Sequence, residues 1–156
     1  FCEANPDLTA TVVDFPNVAS LGEKYVADAG LSDRVIFAAE DALQGDWPQD
    51  RDFVLMSYLF SGVPGDAIPD LARRAFAALK PGGCYIVHDF IVDDDRTGPP
   101  LAALWQLQHM TFTPDAKSVT PGWLSGVLTG VGFGDVETND LIPGMTRVMM
   151  ARKPDG

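Results

Sequence analysis

The sequence predicts an α/β fold: a Rossmann-like, mostly parallel sheet with helices on both faces and an antiparallel strand pair at the end of the chain. Three observations predict it. Short β-branched runs alternate with longer segments of helical apolar spacing. Glycine and proline mark the boundaries, as at Gly30, Pro81-Gly82-Gly83 and Gly132. The last two strand-like runs follow each other with no helical segment in between.

Thr9–Asp14 is a β-branched run ending in an acid, and the spacing of Val18, Leu21, Tyr25, Val26 and Ala29 predicts a helix over 17–29. Arg34–Ala39 and Phe53–Leu59 read as the next two strands. Asp66–Leu79 reads as a helix with Ile68, Leu71, Ala75, Ala78 and Leu79 on one side, ended by Pro81-Gly82-Gly83. Cys84–Phe90 is a fourth strand. Pro99–Met110 and Pro121–Val131 are two further helices that open on proline, which the first helical turn tolerates. Asp135–Asn139 and Thr146–Ala151 form the closing pair.

A chain of 156 residues is about one domain. Its 46% hydrophobic and 21% charged residues are globular values, not those of a disordered chain. Eleven Lys and Arg against 22 Asp and Glu give a net charge of −11. That field repels phosphate backbones, and the only basic pairs are Arg73-Arg74 and Arg152-Lys153, so no nucleic-acid partner is expected. No apolar run approaches the roughly 18–20 residues of a membrane span, so no membrane partner is expected. Cys2 and Cys84 cannot by themselves make a disulfide framework or a thiolate zinc site. The expectation is a reduced, cytoplasmic protein with no bound metal.

Ligands of such sheets bind outside the carboxyl ends of the strands. The informative residues are therefore Asp14, Glu40-Asp41, Tyr58–Ser61 and His88–Phe90. An acid at the position of Asp14 can accept two hydrogen bonds from a ribose diol, or it can be an N-cap or a solvated loop acid. Asp41, beside small and apolar residues, can hold an adenine amino group or be a surface acid.

Val12-Val13-Asp14-Phe15-Pro16, Arg34-Val35-Ile36, Glu40-Asp41, Ala78-Leu79-Lys80-Pro81-Gly82-Gly83 and Val131-Gly132-Phe133 resemble, in this order, the motifs of S-adenosylmethionine-dependent methyltransferases. The finer likeness is to the small-molecule O-methyltransferases of the caffeate and acetylserotonin type. It rests on Val12–Pro16 and on Gly98-Pro99, Leu101–Leu104, Leu107 and Met110, and it runs from about Asn5 to Pro154. The resemblance implies S-adenosylmethionine as cofactor, held by Asp14, Phe15, Glu40, Asp41, Leu43 and Ser57. It implies a small-molecule acceptor held by Trp105, His109, Met110 and Phe112, with Trp123 a further candidate and core packing the alternative for the aromatic residues. It also implies a homodimer for the full-length protein.

Two departures stand out. The ribose acid of a nucleotide-binding unit lies about 20 residues after a glycine-rich loop. Only 13 residues precede Asp14, and none is Gly. Residues 1–156 are therefore expected to be part of a methyltransferase catalytic domain, without its first strand, its glycine loop and the family's N-terminal dimerisation domain. The second departure concerns the base. The family uses a His, oriented by two carboxylates, to take the acceptor's proton. Counting back from Leu79-Lys80-Pro81 places that His at Ser61, one carboxylate at Asp89 and the other at Ser118.

An ordinary serine is no base near neutral pH. A family member without that His points to an acceptor that needs no base: a thioether, a carbon or an acidic hydroxyl. The rival is that His109, otherwise an acceptor ligand or a packing residue of its helix, is a relocated base, giving His109, Asp89 and Ser61 as the catalytic set. His88, inside a strand, reads as structural. The expected activity is methyl transfer to a small-molecule acceptor. Two alternatives are S-methylation of a thioether acid such as methylthio-hydroxybutyrate, whose sulfur has no proton to lose, and a non-catalytic binding module derived from the fold.

Overall fold

The first strand, β1 (Ala10–Asp14), leads through helix α1 (Pro16–Asp28) to β2 (Val35–Ala39). The computed structural model describes the backbone of every residue and every side chain except that of Met110. β1 and β2 pair in parallel, from Ala10 opposite Val35 to Asp14 opposite Ala39. Pro16 opens α1 where a missing N–H costs nothing. Gly30, at φ +68°, takes the left-handed conformation just past the helix end. Within α1, Gly22 lets Phe37 pack against the helix: a Cβ there would lie 2.6 Å from the phenyl ring.

The apolar spacing of α1 does not translate into burial. Only Ala19 is fully buried, while Val18, Leu21 and Tyr25 are exposed. This βαβ segment lies in one compact unit, Phe1–Pro48.

The second unit, Gln49–Gly156, is larger. It contains β3 (Arg51–Ser57), a short 3-10 turn at Phe60–Gly62, α2 (Ile68–Ala78), β4 (Leu79–Asp89), α3 (Pro100–Phe112), α4 (Pro121–Val131), β5 (Gly134–Ile142) and β6 (Thr146–Arg152). Its sheet runs β3-β4-β6-β5. β3 and β4 are parallel, and β6 is antiparallel to both β4 and β5. The α/β class and the antiparallel closing pair are as the sequence predicts.

Strand bounds shift, with β3 at Arg51–Ser57 and β5 reaching Ile142, and the boundary after α2 differs in kind. Pro81-Gly82-Gly83 does not lie between helix and strand but inside β4, which starts at Leu79 as soon as α2 ends. Two features make this possible. The Lys153 ammonium donates to the carbonyls of Phe76 (2.7 Å) and Leu79 (2.6 Å), satisfying the end of α2 from a distant part of the chain. The β3–β4 register also shifts between Arg51 and Phe53, which accommodates the Pro-Gly-Gly irregularity.

The core of this unit is built as the periodicity of α2 predicts. Ile68, Leu71, Ala75, Ala78 and Leu79 are all buried, with Ala72 added to the same face. Tyr85 is fully buried in β4 and donates its hydroxyl to the Met56 sulfur at 2.9 Å, and burial pushes its phenol up. Thr120 caps α4 through the Trp123 N–H, and Gly132, at φ +118°, closes it.

Candidate active site

In the first unit the carboxyl ends of β1 and β2 bring three acids together. Asp14 ends β1, and its carbonyl accepts the Glu40 N–H at 2.9 Å, which sets Glu40-Asp41 beside it. One Asp14 carboxylate oxygen accepts the Phe15 N–H at 2.8 Å. One Asp41 carboxylate oxygen accepts the Leu43 N–H at 2.9 Å, closing an Asx turn. Gly45 completes that turn by close approach, since a Cβ there would stand 2.8 Å from a Glu40 carboxylate oxygen. Phe15 is exposed, and Asp14, Asp41 and Leu43 are half-buried.

In the second unit a cavity of about 340 Å³ is lined by one of the described acceptor candidates, His109, together with Ser61 and Ser118, whereas Trp105 does not line it. Ser61 is 4% exposed and lines it from the 3-10 turn, and His109 lines it from α3. The Ser61 Oγ is buried with no hydrogen bond. Its N–H donates to the Asp89 carboxylate at 3.1 Å. Trp105 stacks on Phe90 with ring centroids 4.4 Å apart, and His109 meets Trp105 edge-on at 5.0 Å. His109 makes no hydrogen bond through its ring to any described residue. His88, in contrast, is engaged at both nitrogens, with the Ser57 hydroxyl at 2.9 Å and the Thr146 hydroxyl at 3.1 Å. That is the structural role its place in a strand suggests, and it draws the Ser57 side chain into the same network.

Asp89 is 1% exposed and does not reach His109; its carboxylate accepts the N–H of Phe90 at 2.8 Å and that of Ser61. Burial pushes its carboxyl above the ordinary carboxylate range. The backbone N–H groups of Phe90, Ser61 and Phe60 pull it back, as does the nearby Ser61 hydroxyl, which lies close without reaching hydrogen-bonding geometry. Asp89 therefore positions Ser61 and the start of the loop after β4. Replacing it by alanine leaves two buried N–H groups without an acceptor, an expected loss of about 1–3 kcal/mol each in denaturant unfolding of the intact protein.

The pH dependence has a definite sign. The folded state keeps the Asp89 proton to higher pH than the unfolded chain does. Its contribution is complete below the ordinary carboxylate value and is lost as pH rises through the raised folded value. Unfolding curves across the acid range should therefore show the stability of wild type relative to Asp89→Asn falling as pH rises.

Among the candidates read from sequence, the structure brings Ser61, Asp89, Trp105 and His109 together, and separately Asp14, Phe15, Glu40, Asp41 and Leu43. Phe112 is 77% exposed on α3 and does not line the cavity. The Met110 side chain lies outside the described residues. Trp123 lies under the Lys117 ammonium, 4.7 Å from the ring centroid.

Sequence reasoning missed Gln106. Its amide donates to the Phe90 carbonyl at 2.7 Å, and its oxygen accepts from the Ser118 hydroxyl. Ser118, read as the place of a lost carboxylate, is thus tied to α3. Arg96 and Lys117, which also line the cavity, were missed too. Among the described residues no group of His, Cys, Asp and Glu is arranged to hold a metal ion, and no helix is long and apolar enough to cross a membrane. Both cysteines are free and buried.

The first unit, a parallel βαβ segment with acids at its strand ends, is of nucleotide-binding type, and the second holds a cavity of small-molecule size. Residues 1–134 match the O-methyltransferase domain, and the chain belongs to that family. It is 32% identical over 137 residues to the 3-hydroxy-5-methyl-1-naphthoate 3-O-methyltransferase of Streptomyces sahachiroi, a match covering 88% of this chain and 39% of that protein.

The crystal structure of an assigned O-methyltransferase from Nostoc punctiforme superposes with a TM-score of 0.91 at 26% identity, covering 97% of this chain and 47% of the other. The apo structure of the S-adenosylmethionine-dependent methyltransferase SibL superposes with a TM-score of 0.84 at 30% identity, covering 98% and 46%. The chain thus spans less than half the length of each of these relatives. S-adenosylmethionine is the family's methyl donor. These relatives favour neither the thioether-methylating alternative nor the non-catalytic one.

The residues at the ends of β1 and β2 fit that donor by the chemistry of their groups. Asp14 and Asp41 each spend one carboxylate oxygen on a local N–H. An ionised carboxylate has further acceptor positions, which suit a ribose diol and an adenine amino group.

Proposed function

We propose that the intact protein methylates a hydroxyl oxygen of a small aromatic acceptor, using S-adenosylmethionine. The observation that carries this reading is one cavity lined by both a buried, unpartnered Ser61 hydroxyl and a His109 imidazole free of hydrogen bonds. A buried hydroxyl without a partner costs stability, about 1–3 kcal/mol. A polar group of the acceptor relieves that cost. Val92, Ala103 and Leu107 supply the apolar lining expected of such a pocket, and His109 packs edge-on against Trp105, itself stacked on Phe90.

S-adenosylmethionine brings a methyl group already activated on a sulfonium, so the protein's work is positioning, exclusion of water and removal of one proton. Asp14 holds the ribose hydroxyls. Glu40, Asp41, Leu43 and Phe15 surround the adenine. Ser57, turned toward His88, contributes to the donor side only through its place at the end of β3. Ser61 orients the acceptor hydroxyl, and His109 takes its proton as the oxygen–carbon bond forms. His109 fills the role that Ser61, at the family's base position, cannot perform. The relative that methylates 3-hydroxy-5-methyl-1-naphthoate supports a fused aromatic acceptor of this size.

Residues 1–156 are, in this reading, part of a catalytic domain whose full-length form is a cytoplasmic homodimer. The test is to incubate the intact protein with S-adenosylmethionine and a series of hydroxynaphthalenes, following S-adenosylhomocysteine and the methyl ether by mass spectrometry. Equal amounts of the two products are expected. Donor binding without S-adenosylhomocysteine above the protein-free control, for every acceptor, would favour the binding module.

A further inference from the structure

The charge around the cavity is opposite to that of the protein. The chain carries −11, yet the cavity is lined by two cations, Arg96 and Lys117, and by no carboxylate. Neither cation is in a salt bridge among the described residues, unlike Arg73, Lys80 and Arg147.

Arg96 remains unpaired although three aspartates immediately precede it. Asp93 is bound to Arg147 at 2.6 Å. Asp94 accepts the Gly122 N–H at 2.9 Å, and Asp95 accepts from both the N–H and the hydroxyl of Thr97. The backbone reinforces this separation. Arg96 sits at φ +61°, in the left-handed region, and its N–H donates to the Asp93 carbonyl at 2.8 Å. A non-glycine residue at positive φ is uncommon and is held there by its surroundings.

Lys117 is half-buried with its ammonium over Trp123, an arrangement that stabilises the cation without neutralising it. The unpartnered Ser61 Oγ lines the same cavity. Between these polar points the wall is apolar, from Val92, Ala103 and Leu107.

We propose that the acceptor is an aromatic hydroxy acid whose carboxylate is held by Arg96 and Lys117. This deepens the reading given above and rests on it. Arg96 presents a planar fork suited to a carboxylate, and Lys117 adds a point charge. The acid docks by its carboxylate, the ring lies along the apolar wall, and the hydroxyl reaches Ser61 and His109. The cations make no bond to the reacting atoms; they set which acceptors bind.

The test compares 3-hydroxy-2-naphthoic acid with its methyl ester on the intact protein, by fluorescence titration and by kcat/KM for methyl transfer. A charge-assisted contact predicts binding of the acid about ten- to a hundredfold tighter than the ester, with the preference shrinking as ionic strength rises. In Arg96→Gln/Lys117→Met the ratio of acid to ester affinity should fall to about one. Equal binding of acid and ester by wild type, no binding of either, or a preference that survives in the double variant would overturn the proposal. Acid-selective binding lost in the double variant, with no methyl transfer to any hydroxynaphthalene, would leave the anion site standing and overturn the methyltransferase reading alone.

Discussion

Replacing His109 by alanine should lower turnover of a neutral hydroxyl acceptor at least about a hundredfold, since general-base catalysis contributes about 10²–10⁴-fold. His109 lines the same cavity as Ser61, and its ring is free of hydrogen bonds, whereas His88 is held by Ser57 and Thr146. One imidazole of the two is thus available. The check is kcat against pH for wild type and His109→Ala with the same acceptor. A base at this position gives a rate that rises as the imidazole loses its proton, and the variant should lose that rise. His109→Gln distinguishes binding from proton transfer. It keeps a polar side chain, so it should restore acceptor KM more than turnover. A variant whose KM alone changes, with an unaltered pH profile, would leave His109 as an acceptor ligand and point to an acceptor that ionises without help.

The second large effect is expected at the donor side. Asp14→Ala should weaken binding of S-adenosylmethionine to the intact protein by about ten- to a hundredfold, the size of a lost charge-assisted hydrogen bond. Calorimetry measures it directly. Asp14 also accepts the Phe15 N–H, so alanine disturbs the entry to α1 as well. Asp14→Asn separates the two effects. It retains an acceptor for that N–H and loses only the charge, and a loss of affinity with it belongs to the donor contact. Unchanged affinity in both variants would mean that Asp14 is a helix-entry residue and nothing more.

The strand ends were the most legible part of the molecule. Asp14 and Glu40-Asp41 fall where alternating strands and helices place them, because a parallel pair carries its carboxyl ends to one edge. The buried face of α2 was equally legible, since a 3.6-residue spacing has only one way to face a sheet. Pro81-Gly82-Gly83 misled because its local chemistry is that of a helix stop, while the group that satisfies the end of α2 is Lys153, more than seventy residues away. The apolar stripe of α1 located the helix, but spacing reports what a helix offers, not how much of it is buried.

Gln106, Arg96 and Lys117 carried no sequence signal at all. Their significance comes from which partners their neighbours take. Asp93, Asp94 and Asp95 read as three acids beside one arginine, a self-neutralising cluster, and only the fold assigns each acid elsewhere.

Helix α3 has a consequence for how this protein can change. Of its described side chains only Ala102 is fully buried, and Leu101, Leu104 and Leu107 face solvent on the described chain. Ala102 packs with Phe90 and Val92, and the Trp105–Phe90 stack and the Gln106 bond to the Phe90 carbonyl join the helix to the segment just after β4. The same helix supplies His109 and one wall of the cavity. On the proposed reading, acceptor choice rests on an element most of whose side chains lie outside the core of β3, β4 and α2, where a lost methylene costs about 1 kcal/mol. Selection or a designer can exchange residues along α3 and acquire new acceptors while the framework beneath stays intact, so related sequences should diverge in substrate sooner than in architecture.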